Sequence, residues 1–175
     1  MLELLRTRRS IRKYSNRKID NDTVNQIKEA VLRSPSSRGL NPWEFIFVDE
    51  KSIIKQLSLS KKQGSDFLEH APIAIVVLGN ENKSDVWIED CSIASIVIQL
   101  TAHSLGLGSC WIQIRNRYHS PEISSENFVQ KLLGIPEYMR VLSIIGIGYP
   151  DESPKPHSKE SPAFSKNHYN TYKQV

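Results

Sequence analysis

The amino-acid sequence predicts one domain that combines helices with a sheet of about four strands, either α+β or α/β. Three apolar stretches of strand length, at 44–48, 73–79 and 141–149, are separated by segments in which apolar residues recur at helical spacing. The chain has 175 residues, of which 39% are hydrophobic and 24% charged. This length and composition fit a single globular domain and exclude a disordered or collagen-like chain.

The first half of the chain is predicted to contain three helices, each with a recognisable boundary. A leucine-rich start predicts a short helix over 2–9 that ends in arginines. The acidic and amide side chains at 20–22 can cap a second helix, which Pro35 ends. A third helix is expected at 52–63, between the first strand and the apolar, buried strand at 73–79.

A long apolar helix at 87–105 is the most informative element of the second half. Apolar side chains lie nearly all the way round it, which indicates burial on more than one side. A strand at 109–114 follows, and a serine pair at 124–125 can cap another short helix before the last strand. We therefore expect a single domain over 1–175, with a proline-rich C-terminal arm from about residue 150.

The positive charge of the sequence is concentrated at its N-terminus. Residues 1–18 carry seven Lys or Arg and one Glu, whereas the formal net charge of the whole chain is +4. A nucleic-acid binder usually spreads its basic residues over one face or several elements. This block therefore indicates either a local anion site or a solvated basic helix end, and we expect no nucleic-acid partner.

The sequence carries no signal for secretion or for membrane insertion. No apolar run reaches the ~18 residues needed to span a bilayer, and the N-terminus lacks the features of a secretory signal. Cys91 and Cys110 cannot form a disulfide framework, and no Cys or His spacing fits a metal site. The sequence therefore predicts a cytoplasmic, reduced protein without a membrane partner or a metal.

Two segments carry side chains suited to a ligand with a phosphate group. The basic motif, Arg8-Arg9-Ser10-Ile11-Arg12, offers forked guanidinium donors and a hydroxyl, which match phosphate oxygens. The segment 35–43 is a loop rich in hydroxyl groups and turn formers. Gly106 and Gly108 follow a helix and precede a strand, the reverse of a dinucleotide-binding glycine loop, so that reading is excluded. Together the two segments would suit a planar ligand with a phosphate tail.

Four sequence motifs occur in order along the chain. They are R-R-S-I-R-K-Y at 8–14, P-S-S-R-G-L-N-P-W-E-F at 35–45, A-H-S-L-G-L-G-S-C-W-I at 102–112 and I-G-Y-P at 147–150. With these motifs the chain resembles the nitroreductase family of FMN-dependent oxidoreductases, in its small single-domain form. The resemblance implies an α+β, nitroreductase-like fold with a four- to five-stranded central sheet flanked by helices. It also implies a homodimer with FMN sites at the interface.

The resemblance further implies which residues bind FMN. They are Arg8, Arg9, Ser10 and Arg12 for the phosphate, ribityl chain and pyrimidine edge; Pro35, Ser36, Ser37 and Asn41 in a loop from the other subunit; Trp111, Ile112 and Gln113 beside the isoalloxazine ring; and Lys159 in the tail. A backbone N–H near Gln113 is expected at flavin N5. No side chain is expected to act as a catalytic acid or base, because the flavin carries the chemistry.

The implied activity is hydride transfer from NADH or NADPH through FMN to a small acceptor, such as a nitroaromatic, a quinone or a flavin, in a ping-pong cycle. Three alternatives remain open at this stage. One is a specialised relative such as a reductive dehalogenase, and another is a non-catalytic flavin- or nucleotide-binding module of the same fold. The third is a nucleic-acid binder that uses the basic block.

Overall fold

A four-stranded antiparallel sheet forms the centre of the computed structural model, which describes residues 1–158 and 162–172. The helices and strands are, in chain order, α1 (Leu2–Thr7), α2 (Asn21–Leu32), β1 (Trp43–Val48), α3 (Lys51–Ser58), β2 (Ile73–Asn80), α4 (Trp87–Ser104), β3 (Gly108–Gln113), α5 (Ser125–Leu133) and β4 (Met139–Gly148). The strands lie in the order β1-β2-β4-β3, and every neighbouring pair is antiparallel. This arrangement confirms the α+β class and decides against α/β, which requires parallel strands.

The alternation of side chains along the strands divides the core into two layers. In β2, Ile75 and its alternate neighbours pack with α2 and α4, whereas Val76 and its alternate neighbours pack with α3 and α5. Helix α4 packs against α2 and against all four strands. Because helices cover both faces, the central strands β2 and β4 are almost entirely buried.

The predicted N-terminal caps of α2 and α5 are confirmed. The carboxylate of Asp20 accepts a hydrogen bond from the N–H of Thr23 at 2.8 Å, and the hydroxyl of Ser124 accepts one from the N–H of Asn127 at 3.0 Å. Gly134 ends α5 in the left-handed region, with φ +65°. These boundaries depend on local contacts, which is why the sequence reveals them.

The prediction of a helix over 52–63 is wrong at its C-terminal end, because α3 stops at Ser58. The carbonyl of Ser58 accepts a hydrogen bond from the buried hydroxyl of Ser65 at 2.7 Å. The N–H of Lys62, which would bond to Ser58 in a continued helix, donates instead to the carbonyl of Tyr118 at 3.3 Å. Contacts with a remote segment therefore end the helix.

Candidate functional site

The basic motif leaves α1 and runs beside the start of β3. Helix α1 ends two residues earlier than predicted, because Ser10 forms a parallel bridge with Ser109 instead of continuing the helix. The N–H of Ile11 donates to the carbonyl of Ser109 at 3.0 Å. A Cβ atom on Gly108 would lie 2.7 Å from the Ile11 side chain, so the close approach of the motif to β3 requires glycine here.

Three predicted site residues gather around the buried thiol of Cys110. The hydroxyl of Ser10 and the guanidinium groups of Arg8 and Arg12 lie close enough to its sulfur to affect the pKa of the thiol. Burial has the largest effect and raises the pKa of Cys110, while these three neighbours each lower it. The guanidinium carbon of Arg12 also lies 5.9 Å from the ring centre of Phe67. The structure thus brings Arg8, Ser10 and Arg12 together at β3.

The C-terminal arm is bound to the basic motif along its first residues. The carboxylate of Glu152 accepts hydrogen bonds from the backbone N–H groups of Arg12 at 2.5 Å and Lys13 at 3.1 Å. The guanidinium group of Arg9 donates to the carbonyl of Lys155. Arg9 therefore holds the arm, whereas Arg8 and Arg12 lie near the thiol of Cys110.

The end of β3, from Trp111 to Gln113, presents side chains in two directions. Ile112 is fully buried in the core, so only its backbone is available to a ligand. The indole N–H of Trp111 donates to Oε1 of Gln113 at 3.0 Å, and Nε2 of Gln113 donates to the carbonyl of Arg115 at 2.9 Å. Both polar ends of the Gln113 side chain are therefore held by the chain itself.

The hydroxyl-rich loop folds on itself and binds the N-terminal end of α4. The hydroxyl of Ser36 donates to Oδ1 of Asn41 at 2.7 Å and accepts from the N–H of Asn41 at 2.9 Å. The N–H of Ser37 donates to the carboxylate of Asp90 at 2.8 Å. Asn41 has φ +47°, a left-handed conformation that asparagine tolerates better than most residues. Exposed Pro35 precedes this folded turn.

The loop and the basic motif lie at opposite ends of α4 within one chain. Asp90, which binds the loop, is near the start of α4, and His103 is near its end. The imidazole of His103 is hydrogen-bonded at 2.8 Å to the hydroxyl of Thr7, the residue that precedes the basic motif. The helical rise puts about 20 Å between Asp90 and His103. One chain therefore does not bring Ser36, Ser37 and Asn41 to the basic motif. Lys159 lies outside the described residues.

Two acidic residues, Asp90 and Glu152, shape these segments although they belong to none of the four sequence motifs. Asp90 is buried and also accepts a hydrogen bond from the hydroxyl of Ser84 at 3.2 Å. The acidic pair Glu89 and Asp90 in the first turn of a largely apolar helix was the available signal for Asp90. No comparable signal existed for Glu152, because its partners are backbone N–H groups at the other end of the chain.

The described residues offer a site for an anion rather than for a metal. Within residues 1–158 and 162–172, no cluster of three or more His, Cys, Asp or Glu side chains could hold a metal ion. No helix in that part of the chain is long and apolar enough to cross a membrane. The gathered guanidinium and hydroxyl groups beside β3 can bind an anion such as a phosphate.

Comparisons with known proteins place the chain in one family. The model of the nitroreductase family matches residues 5–65 and 55–149. The solved structure of an FMN-dependent nitroreductase from Clostridium difficile R20291 is 44% identical, covers 98% of this chain and 100% of that chain, and has a TM-score of 0.97. A relative from Archaeoglobus fulgidus, provisionally named NADH dehydrogenase/NAD(P)H nitroreductase, is 36% identical over 155 residues, or 86% of each chain. The NADPH:FMN oxidoreductase from Vibrio harveyi, solved in complex with NAD+, is 25% identical, covers 99% of this chain and 78% of that chain, and has a TM-score of 0.84.

The fold and these matches define an enzyme of the oxidoreductase class. The chain belongs to the nitroreductase family, because the family model covers most of its length and a relative that is more than 30% identical covers 86% of it. The family and the α+β fold implied by the sequence motifs are thus confirmed.

Proposed function

We propose that this chain is an FMN-dependent oxidoreductase that takes a hydride from NADH or NADPH and reduces a small acceptor such as a nitroaromatic, a quinone or a free flavin. The proposal rests on the position of three side chains in a chain of the nitroreductase family. Arg8, Ser10 and Arg12 lie together at the start of β3. The names of the Clostridium difficile and Vibrio harveyi proteins, which refer to FMN and to NADPH, support it.

The donor groups at β3 fit the phosphate and ribityl chain of FMN. Guanidinium groups bind phosphate oxygens through paired, charge-assisted hydrogen bonds, and a serine hydroxyl adds a further donor. Neither Arg8 nor Arg12 takes part in an ion pair within the described part of the chain. Glu152 binds the backbone N–H groups of Arg12 and Lys13 and leaves the guanidinium group of Arg12 to a ligand.

Bound FMN would supply the hydride chemistry, and the residues of the chain would bind it, orient it and exclude water. Arg12 would place a positive charge near N1 of the flavin, at the pyrimidine edge, which is one of the positions that the family resemblance implies for the basic motif. Its backbone is held by Glu152 and its guanidinium group lies over Phe67. The buried residues Cys110 and Ile112 would form a dry base for the site. We assign no side chain as a proton donor or acceptor.

The active form proposed here is a homodimer in which each site combines segments of both chains. The separation of about 20 Å between the ends of α4 prevents the hydroxyl-rich loop from reaching the basic motif of its own chain. Ile93 and Ile96, on the outer face of α4, are 39% and 38% exposed in the single chain. The aromatic side chains of Phe164, Tyr169 and Tyr172 in the arm are exposed as well. A second copy of the chain would cover such apolar surfaces.

Donor and acceptor are proposed to bind in turn at one face of the site. The glycines that might form a dinucleotide loop have other roles, since Gly106 follows α4 with φ +75° and Gly108 accommodates Ile11. Double-reciprocal plots against the nicotinamide at several acceptor concentrations should therefore be parallel, as in a ping-pong cycle. Intersecting lines would indicate a separate nicotinamide site.

The visible spectrum of the freshly purified protein tests the proposed function. We expect flavin absorbance that bleaches anaerobically on addition of NADH or NADPH, and comparison of the two donors gives the preference. Retained flavin that neither donor reduces would favour a non-catalytic binding module. Failure of the purified protein to bind added FMN would refute the proposal.

A further inference from the structure

Lys61 and Arg117 lie on two segments that are hydrogen-bonded to each other. The N–H of Lys62 donates to the carbonyl of Tyr118 at 3.3 Å, and Nδ1 of His119 is hydrogen-bonded to the carbonyl of Leu59 at 2.7 Å. Backbone bonds also fix Arg117, whose N–H donates to the carbonyl of Ile114 at 3.1 Å. The two cationic side chains therefore belong to one rigid pair of segments, 59–62 and 117–119, which we call the basic rim.

Short stretches of chain join the basic rim to the proposed flavin site on two sides. The chain continues from Lys61 to Phe67, whose ring lies under the guanidinium group of Arg12. On the other side, the segment that carries Arg117 continues directly from β3, and the carbonyl of Arg115 binds the side chain of Gln113. A ligand at the open face of the site would therefore meet the rim.

The two cations of the rim have no acidic partner within the described part of the chain. Neither Lys61 nor Arg117 takes part in an ion pair there, and a guanidinium N–H of Arg117 donates to the carbonyl of its own neighbour Asn116 at 2.8 Å. Burial, followed by the charge of Arg117, lowers the pKa of Lys61. The positive charges of Lys61 and Arg117 therefore act on each other, and an anion bound between them would be attracted by both.

An aromatic surface accompanies these charges. Tyr118, between Arg117 and His119, is 64% exposed. The imidazole of His119 is stacked on the ring of Phe128, with centroids 4.1 Å apart. Cationic groups beside an exposed ring suit a ligand that is planar and carries a negative charge.

We propose that Lys61, Arg117 and Tyr118 form an acceptor subsite that favours planar aromatic acceptors carrying a carboxylate or a similar anionic group. The cations bind the anionic group, and Tyr118 contacts the aromatic ring. This inference rests on the proposed function, because it concerns the acceptor that the flavin site reduces.

The holoenzyme can be tested with two acceptors that differ mainly in charge, 4-nitrobenzoate and 4-nitrobenzamide. We expect a KM for 4-nitrobenzoate about five- to tenfold lower than that for 4-nitrobenzamide, as one or two exposed charge contacts would produce. Lys61→Gln or Arg117→Gln should remove most of this difference, because each raises the KM for 4-nitrobenzoate more than the KM for 4-nitrobenzamide. Lys131→Gln, which alters an exposed lysine of α5, is the matched control and should preserve the difference.

A binding measurement without turnover separates this inference from the proposed function. Calorimetric titration with benzoate and benzamide should show tighter binding of benzoate to the wild type but not to Lys61→Gln or Arg117→Gln. Equal affinity for the two compounds in the wild type would overturn the subsite, as would loss of FMN from both variants, which would assign the two cations to the cofactor. If neither NADH nor NADPH reduced the flavin, the proposed function would be refuted, and the benzoate titration would still decide the subsite.

Discussion

Arg8 and Arg12 are the side chains whose removal should release FMN most directly. Charge-assisted hydrogen bonds contribute roughly 1.5–3 kcal/mol each, so Arg8→Ala or Arg12→Ala should weaken FMN binding about ten- to hundredfold. Fluorescence titration of the apoprotein measures this change. Arg33→Ala is a suitable control, because Arg33 is exposed and its contact is an ion pair with Glu29 on the same helix. Wild-type affinity in both site variants would contradict the assignment.

Cys91 should make the stability of the protein depend on pH in the alkaline range. Its thiol is fully buried, and this burial raises its pKa to about 12. Because the pKa is higher in the folded state, the stabilisation is complete below the unfolded thiol's pKa of about 8.5 and is lost as the pH rises towards the folded value. The free energy of unfolding should therefore fall by up to about 1.4 kcal/mol per pH unit above about pH 9.

Urea denaturation at several pH values between about 8 and 10 checks this dependence. Cys91→Ala should be less stable than the wild type at the lower pH, because it loses buried atoms. Its free energy of unfolding should nevertheless decline less steeply as the pH rises. Equal slopes for the two proteins would show that another group causes the decline.

Among the structural elements, the C-terminal arm should influence cofactor binding through Glu152. Glu152→Ala removes the protein acceptor of the N–H groups of Arg12 and Lys13, and because both residues are exposed the loss should cost about 0.5–1.5 kcal/mol for each hydrogen bond. We expect a lower unfolding temperature and FMN binding weakened several-fold, because the backbone of Arg12 is no longer fixed.

Glu152→Gln separates the hydrogen bonds of this residue from its charge. The amide keeps an oxygen acceptor for the two N–H groups and removes a negative charge near the proposed FMN site. We expect FMN affinity equal to or higher than that of the wild type. Thermal unfolding and FMN titration of both variants distinguish the two effects. Equal losses of stability and FMN affinity in Glu152→Ala and Glu152→Gln would show that the hydrogen bonds to the acceptor oxygen are not the cause.

The ends of the helices show which features the sequence could predict. The caps of α2 and α5 depend on contacts three residues apart, at Asp20 and Ser124, so a local pattern reveals them. The end of α3 depends partly on Tyr118, which is distant in sequence, and spacing alone could not show it. The same distinction applies to the site. The basic motif was visible because adjacent residues form it, whereas the contact of Glu152 joins residues from opposite ends of the chain.

For the whole molecule, the exposed face of α4 predicts a dimer of about twice the mass of the chain. Its interface should exceed ~2,000 Å², as is typical of obligate dimers.

Ile96→Asp should produce a folded monomer with weakened FMN binding, because Ile96 is 38% exposed and faces away from the core. Ile98→Asp alters a fully buried position of the same helix and should unfold the chain. Sedimentation and circular dichroism separate these outcomes, and a monomeric wild type that binds FMN tightly would contradict the dimer.

The strongest consequence of a shared site concerns mixed dimers. Arg12→Ala damages the basic motif, and Ser37→Glu places a carboxylate in the loop expected to cover FMN in the other subunit. Each variant alone should form dimers that bind FMN weakly at both sites. In a mixed dimer, one site receives both damaged segments and the other receives the intact motif of one chain and the intact loop of the other.

Differently tagged chains, refolded together and purified through both tags, should therefore bind about one FMN per mixed dimer with wild-type affinity. Recovery of FMN affinity at one site is expected because the hydroxyl-rich loop binds Asp90 at one end of α4, whereas the basic motif lies at the other end, about 20 Å away. If each site were built from a single chain, every site in the mixed dimer would carry one defect and no affinity would return. The number of tightly bound FMN molecules per mixed dimer thus decides between a site within one chain and a site shared by two.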